Sequence, residues 1–173
     1  MFHDAGRTYD SKHGDNLVDE FQKLFLKHKV EFALSLMLNH RHFDLHLDER
    51  LIEYRGTSVP WLTNHDKAQP SVWFVSEDNS CHPYEFHYSP DAATDGAATM
   101  PGDPEYKEFI KAFAQLLLEK NVEGLFGLCR YPGDDLEGRV EITEGRANIN
   151  LHPDEVGLPD RSPVNSLNPP SSP

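Results

Sequence analysis

Between Val30 and Leu38 the chain alternates with a period of two. Val30, Phe32, Leu34, Leu36 and Leu38 are large and apolar, with Glu31, Ala33, Ser35 and Met37 between them. Two is the period of a β-strand, whose successive side chains point to opposite faces. A strand with one wholly apolar face must bury it, so this stretch demands a sheet with a core on at least one side.

The segment before it has a different period. Leu17, Phe21, Leu24 and Phe25 recur at helical spacing, which predicts an amphipathic helix over 16–28. Asp15 or Asn16 suits its cap, Asp19 and Glu20 its first turn, and Lys27 and His28 its last. A second helix is expected after Asp103-Pro104, a fitting N-cap and first helical residue. Its stripe is Tyr106, Phe109, Ile110, Phe113, Leu116 and Leu117.

Further strands are predicted at 50–54, 71–76, 84–88 and 125–130, with a hairpin over 139–151. In that hairpin Val140 and Ile142 precede Glu144-Gly145, and Ala147, Ile149 and Leu151 follow it. Residues 62–70 and 90–102 read as loops, and Pro132-Gly133-Asp134-Asp135 as a turn. No internal repeat is visible. The fold class is therefore α+β: an antiparallel or mixed sheet of about five to seven strands packed by two amphipathic helices. The domain is expected over 16–152. Residues 1–15 read as a disordered N-terminal segment and 153–173 as a Pro/Ser-rich flexible tail.

Composition excludes more than it assigns. The formal net charge is −13, from 29 acidic and 16 basic residues. That speaks against nucleic acid, whose phosphates need clustered Lys and Arg, and against anionic lipid. No apolar run spans a membrane, and the first residues carry no secretory h-region, so a cytoplasmic address is expected. Cys81 and Cys129 form no close-spaced thiol motif and are read as reduced thiols. There is no GxGxxG, no GxxxxGK[ST] and no GxSxG, so no nucleotide loop or hydrolase elbow is expected.

The chemistry-bearing segment is Asn39-His40-Arg41-His42-Phe43-Asp44-Leu45-His46. If the strand runs past Leu38, His40 and His42 inherit its inward face, about 7 Å apart, and His46 shares their parity. An HxH pair on one strand face is a recurring way to hold a divalent metal ion. The metal candidates are His40, His42 and His46, and the catalytic candidates His40, His42, Glu85 and His87. Glu85, His87, Glu141, Thr143 and Tyr54 are companions for any pocket there. The competing reading is ordinary: Arg41, Asp44, Asp48 and Glu49 pair with the imidazoles at a strand end.

His40-Arg41-His42 also resembles the opening of the cupin metal pattern. However, His46 stands where that pattern has Glu, Glu49 comes three residues late, and the second half is missing. The stretch Leu36–Leu45 followed by Asp48–Glu53 resembles small uncharacterised proteins of filamentous fungi. These carry a Leu-His-[Lys/Arg]-His-Phe strand motif and then Glu-x-Leu-Val. Asn39 departs from it, standing where the pattern is apolar. The resemblance implies a strand–turn–strand unit and brings no activity. The sequence thus points to a small-molecule- or metal-binding domain, enzymatic or not, with a histidine-lined pocket around His40 and His42. The alternative is a non-catalytic interaction domain with an acidic surface and a proline-rich tail.

Overall fold

Leu17, Phe21 and Phe25 are all buried on one face of α1, Gly14–His28. The helix ends in a Schellman turn. Lys29 takes φ 57°, and the amides of Lys29 and Val30 donate to Leu26 O and Phe25 O, both at 3.2 Å. Then come β1 (Leu34–Leu38), β2 (Glu49–Tyr54), β3 (Thr57–Leu62), β4 (Ala68–Val75) and β5 (Cys81–Tyr88). A short 3₁₀ turn at Pro104–Tyr106 leads into α2 (Lys107–Lys120), followed by β6 (Phe126–Arg130), β7 (Val140–Glu144) and β8 (Ala147–Leu151). This computed structural model describes residues 14–40, 42–62, 67–90, 101–133 and 139–157. Arg41, His65, Asp134-Asp135, the loop at 91–100, residues 1–13 and the tail from 158 lie outside them.

The strands form one mixed sheet in the order β1-β6-β4-β5-β2-β3-β8-β7. The β2–β5 pair is parallel and the other pairs are antiparallel. The α+β class and the mixed sheet are as expected. Among the described residues the strands number eight, the additional one being β3, which follows β2 across a tight reversal. Arg55 and Gly56, at φ 52° and 81°, make the tight reversal into it. Pro60 is tolerated in β3 because β8 pairs with that strand only at Thr57 and Ser58. Pro153–Val156, counted in the tail, is a 3₁₀ turn with His152 and Glu155 capping it reciprocally.

Phe32 is a second correction. It was expected on the inward face, yet it is 75% exposed. Residues 31–33 make a turn, with the amides of Ala33 and Leu34 both donating to Val30 O, so the strand begins only at Leu34.

The core lies between the two helices and the β1–β6–β4 end of the sheet. Phe21 sits 5.2 Å from Phe113 and 5.1 Å from Phe126, and Phe25 sits 5.0 Å from Phe109, centroid to centroid. Such tilted aromatic pairs contribute about 0.5–1.5 kcal/mol each beyond their burial. Leu34, Leu36 and Leu38 of β1 face this cluster.

The two helix–strand units also match each other. Leu17, Phe21, Val30 and Leu36 correspond to Phe109, Phe113, Val122 and Leu128, each numbered 92 higher. Both helices end alike, since Asn121 has φ 53° and Val122 N–H donates to Leu117 O at 3.0 Å. Leu36 and Leu128 are register partners, so the β1–β6 pair is centred on equivalent residues. Three of these four pairs carry the same residue, but the matches are scattered among differing neighbours and are inconspicuous in the linear sequence.

Candidate metal and acid–base site

The sheet's other face mixes apolar residues with polar and acidic ones, and alternation carries the assignment across it. Leu128 faces the core, so Cys129 faces away. Cys129 pairs with Val72, Val72 with Glu85, and Glu85 with Leu51. Farther along, Glu53 pairs with Ser58, Ser58 with Asn148, and Asn148 with Thr143, two residues from Glu141. Ser58 and Asn148 are both buried, so part of this face is screened from solvent.

The segment after β1 connects the sheet's two ends. Asn39 is buried, its amide donates to Leu125 O at 2.7 Å, and its Nδ2 to Gly124 O at 3.3 Å. The first of these bonds continues the β1–β6 register one residue past Leu38, and the strand ends there. The strand therefore stops before His40, and the parity argument fails. The histidines meet by a different route. His40 Nε2 lies 2.9 Å and His42 Nε2 3.1 Å from the same oxygen, Oε2 of Glu141 on β7. Their rings stand 4.8 Å apart at 82°. A residue following one edge strand thus touches the opposite edge strand, which means the sheet is rolled about the face opposite the core.

The distal ring nitrogens are engaged as well. His40 Nδ1 lies 3.0 Å from Leu38 O, and a carbonyl accepts, so Nδ1 carries the hydrogen. His42 Nδ1 lies 2.7 Å from Thr143 Oγ1. Each Nε2 is thereby directed at Glu141. One ligand atom from each of His40, His42 and Glu141 lies within 4.8 Å of the others. The hydrogen bond to Glu141 raises the His40 pKa above its ordinary value, against the effect of burial. The same bond to His40 lowers that of Glu141.

Glu85 lies within electrostatic reach of both. Burial pushes its carboxyl up to about 7. His87 is on the same face but contacts Glu53, and its ring is half exposed. His46 is exposed and outside the three-residue group; its backbone amide donates to Glu49 Oε2 at 2.8 Å. Tyr54 meets Tyr88 edge to face, with ring centroids 5.4 Å apart. Burial pushes the Cys81 and Cys129 thiols up to about 11, and neither is in a disulfide.

Arg146 was missed from the sequence. Its guanidinium grips both oxygens of Glu49, donates to Asp44 O at 2.9 Å, and lies 5.9 Å from the Phe43 ring centroid. It holds the Glu49 carboxyl down at about 2. The segment carrying His42 is thereby fastened to the β7–β8 turn, with Glu49 serving Arg146 rather than an imidazole ring. Nothing in the hairpin's alternation distinguishes Arg146 from any turn residue. Asn39, by contrast, did leave a signal as the polar residue in an apolar run.

No family model, curated protein or solved structure matches the chain. No helix among the described residues is long and apolar enough to cross a membrane.

Proposed function

We propose that this protein binds a divalent metal ion between His40, His42 and Glu141 and presents it to a small molecule. The observation that carries the reading is the convergence of two imidazole Nε2 atoms on one carboxylate oxygen, with each Nδ1 held from behind. Metal-binding histidines almost always have the far nitrogen tied to a carbonyl, carboxylate or water, which fixes the tautomer and the ring. Two nitrogens and one carboxylate suit Zn(II), Fe(II) or Co(II) and leave coordination positions open. Catalytic sites keep such a position, whereas structural zinc sites are closed.

Dialysis against Zn(II) followed by elemental analysis is expected to give one ion per chain. The His40→Ala/His42→Ala double variant is expected to retain none. Wild-type protein that stays metal-free after this treatment would overturn the reading. An ion bound to His40 Nε2 displaces a proton there, so affinity should rise as pH increases through the raised His40 pKa. Competition with a chromogenic chelator between pH 5 and 8 measures this.

Arg146→Ala is expected to weaken zinc binding about tenfold, in line with the cost of removing groups that orient ligands. The melting temperature of the metal-free chain should barely change, because the Arg146–Glu49 pair is solvent-screened.

A further inference from the structure

We propose that Glu85 is the proton-accepting carboxylate of a hydrolytic centre at this site, and that the substrate is a neutral carboxylic ester or amide. The proposal rests on the metal reading and gives it a reaction.

The placement of Glu85 is specific. Cys81 and Glu85 are four residues apart on one strand, so unbroken alternation would put both on one face. Cys81 packs on the core, and Glu85 faces the other way. Two register shifts against β4 flank Glu85, one between Pro70 and Val72 and one between Val72 and Trp73, and only the latter falls between it and Cys81. In the second, Pro83, Tyr84 and Glu85 span the width of Val72 and Trp73. Bulges of this kind re-aim a side chain, and they are over-represented beside active sites. Here the irregularity turns a carboxyl into the rolled face, between strands that carry no other charge opposite it: its partners are Leu51 and Val72.

Its distance class is equally informative. Glu85 is not among the residues whose ligand atoms lie within 4.8 Å of one another, yet it acts electrostatically on His40, and Glu141 acts on it. No hydrogen bond or ion pair from a described residue reaches its carboxyl. A carboxylate beyond the ligands, with no described residue bonded to its oxygens, is placed to take a proton from a water at the open position. Burial raises its proton affinity to about 7 in the metal-free protein, and a dication beside it would draw that value down toward the ionised form that accepts a proton.

The step balances without another reagent. The water oxygen bonds to the carbonyl carbon as its O–H bond breaks, and the proton passes to Glu85. The bond from that carbon to the leaving oxygen or nitrogen then breaks, and Glu85 returns the proton to the leaving group. The products are an acid and an alcohol or amine. Charge selects the substrate. The strand residues that register places on this face include Glu53, Glu85 and Glu141 and no Lys or Arg. The bound dication would offset part of that negative charge, and what remains disfavours an anionic phosphoester relative to a neutral carbonyl.

The test uses the zinc-loaded full chain with p-nitrophenyl acetate, and p-nitrophenyl phosphate as the anionic counterpart. Zinc-dependent cleavage of the acetate and none of the phosphate are expected. Glu85→Gln should keep one zinc per chain and lose about 10²- to 10⁴-fold in rate. Glu85→Asp, which keeps the carboxyl but shortens it, should recover part of that loss and carries the test if the amide variant does not fold. Zinc lost in Glu85→Gln would make Glu85 a ligand and overturn the assignment. An unchanged rate, or no zinc-dependent cleavage by the wild type, overturns it while leaving the metal site standing.

Discussion

Glu85→Gln is expected to make the metal-free protein more stable than wild type by about 3 kcal/mol at pH 8, and to leave it unchanged at pH 4. The folded carboxyl keeps its proton up to about pH 7, whereas an unfolded one loses it near 4.5. Between these values the native state binds the extra proton, so wild-type stability falls as pH rises and levels off above 7. A glutamine has nothing to ionise, and the difference between the two chains should open over that window. The His40–Glu141 pair adds slopes of its own. The raised His40 pKa contributes stability below about 6.5 that is lost as pH rises through its folded value. The lowered Glu141 pKa contributes stability above about 4.5 that is lost as pH falls through its folded value. Glu85 also acts on His40 and Glu141, so subtracting one urea-denaturation series from the other reads the ionisation of Glu85 together with its coupling to that pair. A flat difference between pH 4 and 8 would mean that the carboxyl is not held in a desolvated site.

Gly127→Ala is expected to destabilise the fold by about 3 kcal/mol, the upper end of the usual cost of overfilling a packed interior. A Cβ at that position would lie 2.6 Å from Asn39 Oδ1 and 2.7 Å from Trp73 O. The second is backbone in the paired strand β4 and cannot yield cheaply. The first belongs to the buried residue that directly follows β1 and precedes His40. Relaxing the clash therefore displaces Asn39, and His40 with it. Loss of zinc affinity should accompany the fall in melting temperature. Gly102→Ala is the control, since an added Cβ there meets nothing within 4 Å. Equal melting temperatures for the two variants would show that Asn39 is not wedged against β6.

Periodicity made most elements legible because each local pattern must match the face it buries. The stripe Phe109, Ile110, Phe113 and Leu117 specifies its helix wherever it docks, and Leu34, Leu36 and Leu38 specify an inward strand face. β3 was not legible, because Pro60 and Gly56 are turn residues by local rules. Only the short β3–β8 pairing shows that Pro60 costs the ladder no hydrogen bond. The extension of β1 through residues 30–33 was over-read for the converse reason: alternation survives in a turn, and Phe32 is exposed there.

The sequence by itself determined the layer of two helices on a sheet, the apolar side of that sheet, and the nomination of His40 and His42. These follow from residue types at fixed short spacings. Only the tertiary structure decided how the histidines are used. Their meeting does not come from a strand's alternation, since the strand stops at Leu38. It comes from the rolling of an eight-stranded sheet, which brings Glu141 and Thr143, 101 residues away in each hydrogen bond, against the segment after the opposite edge strand. The same holds for the bulge that turns Glu85 inward and for the grip of Arg146 on Glu49. Each is a contact between distant strands, and pairing order and register are fixed by the summed packing of the whole sheet, which no local run of residues records.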